Sequence, residues 1–85
     1  MENARACILL VEDDPSVLSS LQRRLTFEGY RVEAARNGLE GLEKCSPEID
    51  LVVTDVMLPG MTGLELTEKI RQTSRVPILM LTARD

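Results

Sequence analysis

The stretch Leu51-Val52-Val53-Thr54-Asp55-Val56-Met57-Leu58-Pro59-Gly60 decides how the rest of the chain is read. A short aliphatic and β-branched run bounded by turn residues is the signature of a strand buried on both faces, as in a parallel sheet. Asp55 then stands at the carboxyl end of that strand. In open parallel sheets ligands bind in the crevice outside those ends, which makes a carboxylate there a functional candidate. The plainer reading, that Asp55 caps the strand or the turn beginning at Pro59, stands beside it on this stretch alone.

Working outward, Ala6-Cys7-Ile8-Leu9-Leu10-Val11 is a second continuous apolar strand, and it ends in Glu12-Asp13-Asp14. Pro15 suits the first position of a helix, so Asp14 is its N-cap and Glu12 and Asp13 are left at the strand tip. Val17, Leu18, Leu21 and Leu25 recur at helical spacing up to Gly29, with Arg23 and Arg24 on the other side. Tyr30, Val32 and Ala34 alternate with Arg31, Glu33 and Ala35, the period of a sheet-edge strand. Asn37-Gly38-Leu39-Glu40 opens a short helix by capping-box logic, with Leu39, Leu42 and Cys45 directed inward, and Ser46-Pro47 stops it. After the strand at Leu51, Thr62-Gly63-Leu64-Glu65 repeats that logic for a helix with Leu66 and Ile70 on one face. Val76 to Leu81 forms the last strand, followed by Thr82-Ala83-Arg84-Asp85. The order βαβαβαβ predicts right-handed crossovers and a parallel sheet.

Eighty-five residues form one small domain at most, and such a chain buries a modest share of its surface. A formal charge of −4 with scattered basic residues argues against a nucleic-acid face within this segment. The longest uninterrupted apolar run is far too short to span a bilayer, and the amino terminus lacks the basic start of a signal peptide, so the expected location is the cytoplasm. Cys7 and Cys45 have no metal-ligand or redox-motif spacing and read as reduced core residues. With no histidine in the chain, any chemistry runs on carboxylates, hydroxyls and backbone.

If the first and third strands are neighbours, Glu12, Asp13 and Asp55 converge on one crevice. Two unit charges about 4 Å apart repel by roughly 4 kcal/mol at an effective dielectric near 20, against a total domain stability of about 5–15 kcal/mol. A cation, or water and protons, must relieve such a cluster. An all-oxygen donor set selects a hard ion, and Mg²⁺ typically takes one or two carboxylates while keeping several waters. A set of solvated strand-end acids with no ion is the alternative.

The acidic tip Glu12-Asp13, Asp55 followed by Met57, Pro59 and Gly60, and Leu81-Thr82-Ala83 after the fourth strand together resemble the receiver domain of bacterial two-component response regulators. The match runs over essentially the whole chain in order. The resemblance implies a flavodoxin-like open parallel α/β sheet of order 2-1-3-4, with the fifth strand and last two helices absent from this chain. Residues 1–85 would be the amino-terminal portion of such a domain. It further implies that Asp55 accepts a phosphoryl group from a histidine kinase and that Asp13 ligates Mg²⁺ directly. Glu12 would act through a water, with Asp55 and the Met57 backbone carbonyl as further ligands. Thr82 would supply a switch hydroxyl to the phosphoryl oxygens, and Ala83 a backbone N–H. Such a domain is regulatory rather than a metabolic enzyme.

The family's lysine on the fifth strand has no counterpart here, since Lys44 and Lys69 fall in predicted helices. The expectation is therefore a piece of a longer protein, with the fourth strand an exposed apolar edge and the face carrying the first helix partly uncovered. Self-association through that strand or an exchanged element would follow. The tail from Val76 to Asp85 also resembles regulators whose receiver precedes a winged-helix DNA-binding domain, so DNA binding would belong to a further domain and transcription would be the output. Two alternatives remain: a binding-only fragment unable to signal without the lysine, and an aspartyl-nucleophile phosphatase. The phosphatases normally place a second Asp two residues after the nucleophile, where this chain has Met57.

Overall fold

The computed structural model describes residues 5–81. Its elements are β1 (Cys7–Val11), α1 (Pro15–Phe27), β2 (Arg31–Ala35), α2 (Gly38–Lys44), β3 (Leu51–Asp55), α3 (Gly63–Arg71) and β4 (Ile78–Leu81). The four strands form one parallel sheet of order β2-β1-β3-β4. β1 pairs Ile8 with Val32 on one side and with Leu51 on the other, and all five of its residues are buried. From β1 the chain moves outward to β2, then crosses back to β3. The direction of winding therefore reverses between β1 and β3, and a crevice opens there at the carboxyl ends of the strands.

Local chemistry sets the helix boundaries. The Asp14 carboxylate accepts the amides of Ser16 and Val17 at 2.9 and 3.3 Å, satisfying two of the donors left free at the start of α1. At the other end Gly29 takes φ +103, its amide reaching the Thr26 carbonyl while that of Tyr30 reaches Leu25, the paired bonds of a Schellman stop. Thr62 and Glu65 close a reciprocal capping box on α3. At α2 the box is displaced by one residue: Asn37 accepts the Glu40 amide, but the Glu40 carboxylate reaches back to Arg36 rather than to Asn37. That bond holds the Glu40 carboxyl below its ordinary value.

Alternation along the strands divides the apolar residues between two faces. Cys7, Leu9, Val11 and Val52 point to the side of α2 and α3, where Leu66 and Ile70 complete a closed core. Ile8, Leu10 and Val53 point to the side of α1, where Leu18 is buried but Leu21, Leu25 and Leu51 are only partly covered. Leu79 of β4 is 52 % exposed, and an apolar trough of about 430 Å³ runs from Leu21 and Leu25 to Leu79 and Leu81. The expected uncovered apolar face and apolar edge strand are thus both present among the described residues.

Two packing expectations are corrected. Val17 is exposed, since it stands in the first turn of α1 at the edge of the stripe formed by Leu18, Leu21 and Leu25. Leu39 is 60 % exposed rather than inward. Gly38 and Gly41 face the core instead, since added Cβ atoms there would stand 2.8 Å from the Met61 sulfur and 2.9 Å from a Val11 methyl. The short helix lies so close to its neighbours that its buried side is the glycine side. The last strand is also shorter than its apolar run, beginning at Ile78. Cys7 and Cys45 are free thiols, as expected, the first buried and the second partly so.

Candidate functional site

The acidic residues occupy the mouth of the β1/β3 crevice. Val11 registers with Thr54 across the two strands, so Glu12 and Asp13 leave β1 beside the point where β3 ends in Asp55. One carboxylate oxygen from each of Glu12, Asp13 and Asp55 lies within 4.8 Å of the other two. The three residues are graded in exposure: Glu12 is buried, Asp55 half-buried and Asp13 exposed. Glu12 is fixed at both ends, its amide donating to the Ala35 carbonyl at 3.0 Å and its carboxylate accepting the Asp14 amide at 2.9 Å.

Burial pushes the Glu12 carboxyl above its ordinary value, and repulsion from Asp55 and Asp13 adds to this, while the Asp14 amide pulls it down. No cationic side chain pairs with any of the three acids among the described residues. A divalent cation in the crevice would supply the compensation that the described side chains do not. The all-oxygen donor set and clustered geometry fit a hard ion such as Mg²⁺. Partial exposure leaves room for the waters that Mg²⁺ retains.

The structure also shows how Asp55 is held. Its strand partner is Leu81 of β4, and the next amide, Val56, donates to the Leu81 carbonyl at 3.1 Å. Thr54, fully buried, donates its hydroxyl to the Asp55 carbonyl at 3.0 Å. Leu58 turns back into the larger core, and Gly60 takes the left-handed φ of +76 that the turn after Pro59 requires. Met57 lies two residues past Asp55 with its side chain 63 % exposed, where a phosphatase of the doubly wound type would carry its acid. Lys44 is committed elsewhere, its ammonium donating to the Ala34 carbonyl and pairing with Glu40. Thr82 and Ala83 lie outside the described residues.

Two polar residues had no assigned role in the sequence. Thr54 is the one hydroxyl inside an otherwise apolar strand, a local signal that its side chain has a partner. Asp50 binds β1 from both of its groups, its carboxylate accepting the Cys7 amide and its own amide donating to the Cys7 carbonyl, each at 2.8 Å.

A parallel sheet wound in both directions, with acids at its reversal point, defines a doubly wound α/β domain with an acidic crevice. The family model described as the response regulator receiver domain matches residues 8–85, and the chain belongs to that family. It is 47% identical over 77 residues to the transcriptional regulatory protein CpxR homolog of Haemophilus influenzae, covering 91% of this chain and 34% of that protein. Chemotaxis protein CheY4 of Vibrio cholerae superposes with a TM-score of 0.90 at 37% identity over 96% of this chain and 72% of that one. Response regulator TrrA of Thermotoga maritima, in complex with Mg²⁺–BeF, gives 0.86 at 39% identity over 94% and 71%. The chain spans about a third of the length of the curated relatives it matches. Among the described residues no helix is long and apolar enough to cross a membrane.

Proposed function

We propose that this chain is the phosphoacceptor unit of a two-component system, with Asp55 receiving a phosphoryl group from the phosphohistidine of a histidine kinase. The observation that carries this reading is the convergence of Glu12, Asp13 and Asp55 within one ion's reach. Asp13 and Asp55 would hold Mg²⁺ directly, Glu12 would do so through a water, and the Met57 carbonyl would complete the protein's share. When bound there, Mg²⁺ would supply positive charge that offsets the charge developing on the phosphoryl oxygens.

An Asp55 carboxylate oxygen attacks phosphorus, the P–N bond to the imidazole breaks, and its electron pair returns to the ring nitrogen, which takes up a proton. The product is an acyl phosphate on Asp55. Its nearly two units of negative charge recruit the Thr82 hydroxyl and the Ala83 amide, which biases the segment beyond β4 between two states. The curated relatives named as transcriptional regulators support transcription as the output, through a domain other than this one, and the net charge of −4 with scattered basic residues argues against nucleic-acid binding by this segment. A cytoplasmic location accords with that output. The apolar edge at β4 provides a surface for self-association.

The test uses Mg²⁺ and beryllofluoride, an imitator of aspartyl phosphate. Saturable, Mg²⁺-dependent binding that Asp55→Asn abolishes is the expected result. No Mg²⁺-dependent binding in the unaltered chain would sink the reading and favour the binding-only alternative.

A further inference from the structure

Asp55 can act only if its carboxylate is aimed into the crevice, and the chain around it is pinned from two sides by groups that take no part in the chemistry. On one side the buried Thr54 hydroxyl donates to the Asp55 carbonyl. On the other stands the first residue of α3. The Gly63 amide donates to the Val56 carbonyl at 2.7 Å, and Thr67 returns a hydroxyl bond to the Gly63 carbonyl at 2.8 Å.

A Cβ added at Gly63 would collide with the Asp55 carbonyl oxygen and would stand 3.1 Å from the Val56 Cα and 3.2 Å from the Asp55 carbonyl carbon. The backbone at Gly63 is ordinary helix and needs no left-handed φ. Space, rather than conformational freedom, excludes a side chain there. The atoms in the way are the backbone of the acceptor residue itself, which cannot swing aside as the flexible Met61 side chain at Gly38 can.

We infer that Thr54 and Gly63 are positioning residues for Asp55: the hydroxyl and the bare first turn of α3 together set the backbone from which the acceptor carboxylate is aimed. This rests on the phosphoacceptor reading and adds to it a coupling between α3 and the site. Mg²⁺ demands near-ideal octahedral geometry, so a displaced Asp55 backbone weakens metal binding even with every ligand present.

The experiment follows backbone amide resonances of the isotope-labelled chain by NMR, first without metal and then through a Mg²⁺ titration. In Gly63→Ala the Asp55 and Val56 amides shift before any metal is added, and Mg²⁺ affinity falls about tenfold, the scale on which disturbing the groups that support metal ligands is felt. Thr54→Val, which adds no bulk, moves the same resonances and weakens Mg²⁺ in the same sense, and it decides the matter should Gly63→Ala fail to fold. Gly38→Ala, whose added methyl meets only the Met61 side chain, lowers the melting temperature but leaves Mg²⁺ affinity unchanged. Folded Gly63→Ala and Thr54→Val chains that bind Mg²⁺ as the unaltered chain does would overturn the inference, as would an equal loss in Gly38→Ala. If the unaltered chain shows no Mg²⁺-dependent shift at Glu12, Asp13 and Asp55, it is the phosphoacceptor reading that fails.

Discussion

The two faces of the sheet are built from alternate residues of the same strands, yet they differ in how completely they are closed. On the α2/α3 side Leu9, Val11, Val52, Leu66 and Ile70 are 0–1 % exposed. On the α1 side the same strands leave a trough in which Leu51 is half-covered and Leu79 largely exposed. The stability of the described residues therefore comes mainly from one face, and that face carries the helix abutting Asp55. The site is anchored to the well-packed half of the molecule, while the open half is left able to accept further contacts.

The sharpest way to break this comparison is to truncate one leucine on each face. Leu66→Ala is expected to cost about 2–5 kcal/mol, since it empties a closed space. Leu79→Ala should stay within about 0.5 kcal/mol, as for other exposed substitutions. Urea unfolding of both variants checks this, and equal losses would mean that the two faces contribute alike. A smaller effect is expected at the junction of α3 with the site: Thr62→Ala removes the capping box and should cost about 0.5–2 kcal/mol by the same measurement. A loss confined to the denaturant slope, with no change in midpoint, would count against a capping role.

The mildest test is electrostatic. Because the Glu12 carboxyl is held above its ordinary value, folding favours its protonated form. That stability is fully present below the ordinary carboxylate range and is lost as the pH rises through the raised value. Glu12→Gln keeps an acceptor for the Asp14 amide and removes the charge. Without metal it should melt above the unaltered chain at neutral pH, with the gain disappearing as the pH falls below the carboxylate range. Melting curves across that interval decide it, and a pH-independent difference would show that the buried charge of Glu12 is not the cause.

The sequence made most of the frame legible because its signals were local. Asp14 before Pro15, Thr62 three residues ahead of Glu65, and apolar runs ending in acids each carry their meaning within a few positions. The convergence of Glu12, Asp13 and Asp55 followed once β1 and β3 were placed side by side. Periodicity places Leu39 inward because it counts large apolar residues, whereas the α2 interface is so close that Gly38 and Gly41 occupy it. Gly63 likewise looks like an ordinary position after an N-cap, and only the fold brings Asp55 against it. The Asp50 carboxylate had no local signal at all, its partner lying 43 residues earlier.

That last contact bears on how the protein is made. A ribosome delivers β1, α1 and β2 well before Asp50 and β3, so an interior strand of the finished sheet, β1, has a partner on one side only until β3 is made. Its entirely apolar run, Cys7–Val11, then presents an open edge of the kind that joins nascent chains together. That edge closes when β3 arrives and Asp50 bonds both backbone groups of Cys7.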